Sequence, residues 1–208
     1  MRCKVLFGCI LAVVLIATAA PVRAQAAYAA LEENPRFSVG GGFSAYDTDF
    51  GGKYMYGPTL WADWHPRFLD GFFLRNFSIE AQARDITWDE HTLGPTADFR
   101  ETTAGGGLLY HARRFRFFGF DPYAKGLISF GGIHFGSTNP AVNALHPYDH
   151  DTRTVYSLGG GVDYRIAHRV TVRADYEYQW WPQFLGSNAL TPNGFTVGAL
   201  YNFGGHWR

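Results

Sequence analysis

The side chains best suited to chemistry in this chain are acids and bases that occupy alternate positions. Arg173, Asp175 and Glu177 lie two residues apart, and the positions between them carry no charge. Because side chains at this spacing share one face of a β-strand, such groups meet counterparts on neighbouring strands. There they can form ion pairs, line a polar pore or relay protons. The full charge set comprises Asp63, Glu80, Arg84, Glu101, Lys125, Asp163, Arg165, Arg173, Asp175 and Glu177.

The composition of this charge set favours pairing over transport. It holds six acids and four bases, which is close to balance. Buried charges persist when they are paired and hydrogen-bonded. We therefore predict a structural network of ion pairs, and the sequence leaves a narrow polar pore or a proton path open as the alternative.

A nucleophile and base pair is the second kind of chemistry to consider. His134 and Ser137 are near neighbours, as a lipid hydrolase would require. Nucleophile and base must come within hydrogen-bonding distance, and a third group must orient the base. Three residues apart on a strand, these two side chains point to opposite faces. The chain also lacks Gly-x-Ser-x-Gly and His-Glu-x-x-His motifs, so we expect no enzyme.

A short polar segment, His-Pro-Tyr-Asp-His-Asp, is the third candidate. It supplies His146, Asp149, His150 and Asp151, whose imidazole and carboxylate groups suit metal ions. Their spacing matches no specific metal site. We expect neither a dedicated metal nor a cofactor.

The strand that carries Arg173 has a second, apolar face. Val170, Val172 and Ala174 are short, and the aromatic residues Tyr176 and Tyr178 follow them. An apolar band that ends in Tyr and Trp is typical of a strand facing lipid, so the charged face points into a lumen. The predicted aromatic girdle comprises Tyr176, Tyr178, Trp180, Trp181, Tyr201 and Phe203.

Alternation of this kind recurs in eight segments. Only helices and closed barrels satisfy every backbone group in lipid, and an even strand number places both chain ends on the periplasmic side. We predict an all-β, eight-stranded antiparallel up-and-down transmembrane barrel with a polar interior. The segments are Phe37–Tyr46, Tyr56–Trp64, Phe77–Arg84, Glu101–His111, Tyr123–Gly132, Tyr156–Arg165, Val170–Trp180 and Phe195–Phe203.

The connections on the periplasmic side should be short turns. Ile166–Arg169 fits this expectation, whereas His65–Asn76 is too long and carries four large apolar residues. The sequence leaves open whether His65–Asn76 extends the strands or lies in the headgroup layer. In the turn Ala112–Gly119, arginines alternate with phenylalanines, which favours an aromatic girdle with snorkelling charges over a site for an anionic headgroup or a partner.

The first 24 residues have the pattern of a secretory signal peptide. Arg2 and Lys4 precede the apolar run Val5–Ala20, and Val22-Arg23-Ala24 offers a cleavage site, with Ala24-Gln25-Ala26 as an alternative. We predict that residues 25–208 form one barrel domain.

Composition narrows the class of the predicted barrel domain further. Both cysteines lie in the first 24 residues, so no disulfide is expected in the rest. Three of the 18 Lys and Arg residues also lie there, which leaves the remainder slightly acidic. Nothing in this balance indicates a nucleic-acid partner.

Two segments resemble a known family. Gly159–Trp181 and Ile79–Trp88 (IEAQARDITW) are similar to small outer-membrane β-barrel proteins related to the outer membrane protein A and X barrels. The resemblance implies a Gram-negative envelope protein, surrounded by outer-membrane lipid. It also implies insertion by the barrel assembly machinery after transport by periplasmic chaperones. Such chains tend to end on Phe, and here either Phe203 or Trp207, in phase with it, is the terminal aromatic residue.

These features favour a non-enzymatic barrel. An eight-stranded interior is just wide enough for side chains to fill it, so a charged lumen argues against a pore. We expect a structural role in the envelope or surface interactions through the outer loops, with an unidentified ligand. A narrow porin-like channel is the alternative, and a barrel lipid hydrolase is the third hypothesis.

Overall fold

The structure is a computed structural model. It describes residues 36–47, 54–71, 74–88, 97–115, 118–137, 150–167, 169–182 and 189–203. The predicted signal peptide, His146, Asp149 and the tail after Phe203 lie outside these residues, as do the side chains of Ser137, His150 and Asp151. No helix in the described part of the chain is long and apolar enough to cross a membrane.

Eight antiparallel strands form a closed barrel, which confirms the predicted fold class. Each strand pairs with the next, and β1 closes the barrel on β8, with Phe37 opposite Phe203. The strands are β1 Phe37–Asp47, β2 Tyr54–Trp64, β3 Phe77–Trp88, β4 Ala97–His111, β5 Phe120–Ser137, β6 His150–Ala167, β7 Val170–Trp180 and β8 Asn193–Phe203.

Alternation in the sequence becomes alternation across the barrel wall. In β7, Thr171, Arg173 and Asp175 are buried in the lumen, whereas Tyr176 and Tyr178 are exposed on the outside. The outer face is apolar and the inner face polar, the reverse of a soluble barrel. This arrangement suits a lipid solvent, in which only the interior can hold charge.

Small inward residues let the strands pass close to one another. A Cβ atom at Gly107 would collide with the backbone carbonyl oxygen of Gly126 in β5. At Gly159 a Cβ would lie 2.6 Å from the backbone oxygen of Tyr176 and 3.2 Å from Cε of Lys125, so this glycine makes room for both a neighbouring strand and a long side chain.

Strands β3 to β6 extend at least four residues beyond their predicted segments at the rim opposite the chain ends, whereas β1, β2 and β8 extend by only one or two. The predicted segments ended at Arg84 and resumed at Glu101, but β3 continues to Trp88 and β4 begins at Ala97. The outward side chains there are polar, and Nε of Arg100 donates to Oδ1 of Asp85 at 2.8 Å. Because these residues extend beyond the apolar band, the apolar half of the alternation is lost and the pattern no longer indicates a strand.

We call the rim at Phe37 and Phe203 the chain-end rim and the opposite one the loop rim. At the chain-end rim, the described residues 65–71 and 74–76 do not extend the strands, and they include a 3₁₀ turn, Arg67–Leu69, with Leu69 buried. A second 3₁₀ turn, Arg113–Phe115, follows β4. Phe118 and Gly119, with φ of 48° and 85°, then lead the chain into β5.

Candidate functional site

Three buried cations organise the lumen, and Arg173 is the one nearest the chain-end rim. Its Nε and Nη2 donate to Asp163 at 2.8 and 2.9 Å, and Nη2 also donates to Asp63 at 2.8 Å. Nη1 donates to Glu80 at 2.9 Å. The guanidinium carbon lies 4.8 Å from the ring centre of Tyr123, a cation–π contact. Arg173 therefore joins three carboxylates from three strands.

Lys125 occupies the middle of the lumen. Its Nζ lies 2.8 Å from Oδ2 of Asp175, 3.0 Å from Oε2 of Glu177 and 3.4 Å from Oε1 of Glu80. It also donates to Oε1 of Gln82 at 2.8 Å. A single ammonium group thus links β3 to β7 across the lumen.

Arg84 lies on the loop-rim side of Lys125. Its Nη1 donates to Oε1 of Glu177 at 3.1 Å, and its Nε donates to Thr59 at 3.3 Å. The guanidinium carbon is 4.0 Å from the ring centre of Tyr46. Gln82 donates to the other oxygen of Glu177 at 3.1 Å.

Together these contacts form a continuous ladder of alternating charge. It runs from Asp163 through Arg173, Glu80, Lys125 and Glu177 to Arg84. Its members come from β3, β5, β6 and β7, and Asp63 adds β2. Removing one partner of a buried ion pair typically costs ~3–5 kcal/mol because the remaining charge stays buried without compensation. We call these seven residues and Asp175 the charge ladder.

Hydrogen-bonded hydroxyl and amide groups fill the lumen beside β1 and β8. Ser38 donates to Asn202 at 2.9 Å, and Asn202 donates to Thr171 at 2.9 Å. Ser44 and Thr196 are 2.8 Å apart. Neutral groups therefore satisfy one another where the ladder does not reach.

Two members of the predicted charge set lie outside the ladder. Glu101 is buried on the inner face of β4, but its Oε1 has no hydrogen-bond partner in the structure. Arg165 is half-buried on the inner face of β6, near the chain-end rim. The remaining eight members of the set are joined directly to one another.

Sequence reasoning missed the aromatic residues that line the lumen. Tyr46 and Tyr123 lie under the guanidinium groups of Arg84 and Arg173, and Trp61 lies 5.7 Å from Arg173. Each of these aromatic residues lies two residues from an inward-facing neighbour on its own strand. That spacing was the signal that could have identified them.

An additional acid and base near the chain-end rim were also missed. His111 and Asp121 face the lumen, with Nδ1 and Oδ2 3.7 Å apart.

The predicted girdle requires one correction. Trp180 is 47% exposed on the outer face, whereas Trp181 is 0% exposed. The other predicted girdle residues, Tyr176, Tyr178, Tyr201 and Phe203, are also exposed on the outer face. Strand β7 ends at Trp180, and Trp181 pairs with Leu190 in an isolated bridge with its ring against Ile133 and Val155. Its Nε1 donates to Oε1 of Gln179 at 2.9 Å. Trp181 lies an even number of residues after Arg173, so its side chain points inward on the same face and not toward lipid.

The other chemical candidates gain no supporting geometry. His134 lies on the outer wall of β5, exposed and opposite the backbone of His150, so it does not face the lumen. Among the residues that the structure describes, no three histidine or acidic side chains are grouped to hold a metal ion.

Comparison with known proteins identifies the family. Residues 10–203 match the outer membrane protein beta-barrel domain. The chain belongs to this family. It is an integral outer-membrane β-barrel protein, as the notable lipid-facing band of its wall requires. No curated protein sequence matches it.

Solved outer-membrane barrels share this fold at low sequence identity. Neisserial surface protein A (NspA) is 12% identical, with a TM-score of 0.56 over 80% of this chain and 96% of that one. The attachment invasion locus protein Ail of Yersinia pestis is 15% identical, with a TM-score of 0.52 over 82% and 100%. OprG of Pseudomonas aeruginosa is 14% identical, with a TM-score of 0.55 over 84% and 98%. At these identities the likeness establishes the fold alone.

Proposed function

We propose that this outer-membrane barrel is non-enzymatic and does not conduct, and that it serves envelope structure or surface interaction. The observation that carries the proposal is the charge ladder. Its charged groups are buried and form ion pairs across the lumen. They occupy the space that water would have to fill in an open pore. A narrow barrel filled in this way gains stability at the expense of a continuous path.

Planar-bilayer recording tests the closed lumen. We expect purified protein to give no steady conductance under conditions in which a general porin gives ohmic steps. Reproducible ohmic steps from the folded wild-type protein would overturn the closed lumen and establish the channel. Such steps must be absent for the unfolded protein and for a detergent-only control.

The proposed function includes two roles that an experiment can separate, support of the envelope by the barrel and surface interaction through the outer loops. Eight-stranded solved barrels of this fold include proteins named for surface exposure and for attachment, NspA and Ail. In the sequence, intervals 48–53, 89–96, 138–149 and 183–188 separate consecutive pairs of strands. A deletion strain complemented with wild-type protein or with a version whose intervals 89–96 and 138–149 are replaced by Gly-Ser distinguishes the two roles.

The two roles predict different outcomes for that strain. If the barrel itself supports the envelope, both versions restore resistance to detergent. If the loops act, only the wild-type chain restores adhesion of whole cells to the surface tested. Failure of the wild-type chain in both assays would refute the proposed roles.

Absence of enzymatic activity is tested separately. We expect the lipid A mass spectrum of overexpressing cells to be unchanged, since His134 lies exposed on the outer wall. A mass change that His134→Ala abolishes would establish the hydrolase instead.

Export through the predicted route completes the proposal. Residues 1–24 would be removed as a signal peptide, and periplasmic chaperones and the barrel assembly machinery would deliver and insert residues 25–208 with the chain-end rim in the periplasm. Intact mass spectrometry of the membrane-extracted protein checks cleavage after Ala24. A mass that retains residues 1–24 contradicts it.

A further inference from the structure

Two turns at the chain-end rim pack side by side and form one surface. Nη2 of Arg113 donates to the backbone oxygen of Arg75 at 2.9 Å, and the backbone nitrogen of His111 donates to the backbone oxygen of Asn76 at 2.8 Å. These bonds join the turn between β2 and β3 to the turn between β4 and β5. Residues far apart in sequence thereby become neighbours.

This surface combines arginines with exposed apolar side chains. Phe68, Phe115 and Phe118 are 72%, 68% and 88% exposed. Asp70 is the one acidic residue among the described positions of the two turns, and it lies 3.8 Å from Arg36 and 3.2 Å from His65. We call the surface the basic–aromatic face; its members are Arg67, Phe68, Leu74, Arg75, Arg113, Arg114, Phe115 and Phe118.

The backbone holds one of these rings outward under strain. Phe118 has a φ of 48°, in the left-handed region that bulky residues rarely adopt. Asn or Gly would meet the same turn without this cost. A phenylalanine kept 88% exposed at such a position indicates an environment other than water around its ring.

The basic–aromatic face continues the lipid-facing wall. Directly beside it, the rings of Phe77 and Tyr110 are 5.1 Å apart on the outer surface of β3 and β4, and those of Phe120 and Tyr164 are 4.8 Å apart on β5 and β6. Such aromatic belts lie at the boundary between hydrocarbon and headgroups. The basic–aromatic face therefore lies at the depth of lipid phosphates.

We infer that the basic–aromatic face binds anionic phospholipid, of the phosphatidylglycerol type, in the periplasmic leaflet. Guanidinium groups bind phosphate with paired hydrogen bonds, and basic residues near a membrane surface favour anionic over zwitterionic lipid. The exposed rings would lie among the upper acyl chains. This inference does not depend on the closed lumen, although the choice of leaflet rests on the proposed orientation.

Lipid retention measured by native mass spectrometry tests the inference. The purified barrel is placed in nanodiscs of equal parts phosphatidylcholine and phosphatidylglycerol, and the lipids that remain bound after release are counted. We expect the wild-type protein to retain phosphatidylglycerol preferentially. The double variant Arg67→Gln/Arg114→Gln should lose most of that preference, ~fivefold per arginine. These two arginines are chosen because Arg113 holds the neighbouring turn.

A matched control separates the site from net charge. Arg100→Gln removes one positive charge from an exposed position near the loop rim, and Arg114→Gln removes one from the basic–aromatic face. Only Arg114→Gln should weaken retention, and added salt should weaken it in the wild-type protein. Gel mobility before and after boiling confirms that each variant is folded.

Three results would overturn the inference. The first is equal retention of both lipids by the wild-type protein. The second is an equal loss in Arg100→Gln and Arg114→Gln, which would indicate net charge alone. The third is an unchanged lipid preference in the double variant. If that variant also lost a cross-link to a soluble periplasmic protein, the surface would bind that protein and not lipid.

Discussion

Arg173 illustrates what a single residue does in this lumen. Its guanidinium group donates hydrogen bonds directly to carboxylates on β2, β3 and β6, at 2.8 to 2.9 Å. The side chain is 1% exposed. Its energetic role follows from this isolation, because each of its three partners would keep a buried charge if it were removed.

Arg173→Leu should therefore destabilise the barrel by ~3–5 kcal/mol, the usual consequence of breaking a buried ion pair. The measurement is urea unfolding in detergent, followed by loss of the heat-modifiable gel band. As a control, Arg100→Leu removes an exposed partner of Asp85 and should change the midpoint little. Equal midpoints for wild type and Arg173→Leu would show that the ladder does not stabilise the fold.

At the scale of the strand, phase decides where each side chain goes. Trp180 and Trp181 are adjacent and chemically identical, yet one faces lipid and the other packs against Ile133 and Val155. The difference arises because the two residues have opposite phase, and Gly131 leaves room for the inward ring of Trp181, with which a Cβ atom there would collide.

Fluorescence quenching by brominated lipid distinguishes the two tryptophans. Trp180→Phe should reduce the fraction of emission that the lipid quenches, whereas Trp181→Phe should leave the lipid-quenchable intensity unchanged. The reverse pattern would place Trp181 in the girdle after all. Trp181→Ala should also destabilise the barrel by ~3–5 kcal/mol, since it leaves a cavity.

Close strand approach gives a second prediction at this scale. Gly107→Ala places a Cβ atom against the carbonyl oxygen of Gly126, which is backbone and cannot rotate away. Gly126→Ala places its Cβ 3.6 Å from Cδ2 of Leu158, an ordinary contact. We expect Gly107→Ala to refold in lower yield and Gly126→Ala to refold as the wild type does. Equal yields, read from the folded band on gels, would contradict the argument.

The whole molecule is a closed sheet with an apolar outside, and its solution behaviour follows. Closure removes edge strands, so unfolding must break a complete ring of backbone hydrogen bonds. We expect a β-rich circular dichroism spectrum in detergent and a gel mobility that shifts on boiling. A helical spectrum, or full solubility without detergent, would be incompatible with this fold.

Much of this architecture could be predicted because lipid imposes a simple rule on sequence. Every charge near the middle of a strand must face inward, so the alternation in Val170–Trp180 assigns both faces at once. The same rule weakens beyond the apolar band, where Asp85 and Arg100 face outward. For that reason β3–β6 were predicted too short. The turn 65–76 has no periodicity at all, and its 3₁₀ turn was not predictable.

The sequence by itself determined the class of barrel, the number of strands and the identity of most charges in the lumen. Tertiary structure alone decided which of them meet. Arg173 contacts Asp63 across 110 residues of sequence, and Lys125 reaches Glu80, Asp175 and Glu177 on opposite sides of the barrel. The physical reason is that alternation specifies which face of the strand a side chain occupies, but not its position along the barrel axis. The position of each residue along the barrel axis depends on the stagger with which the sheet closes.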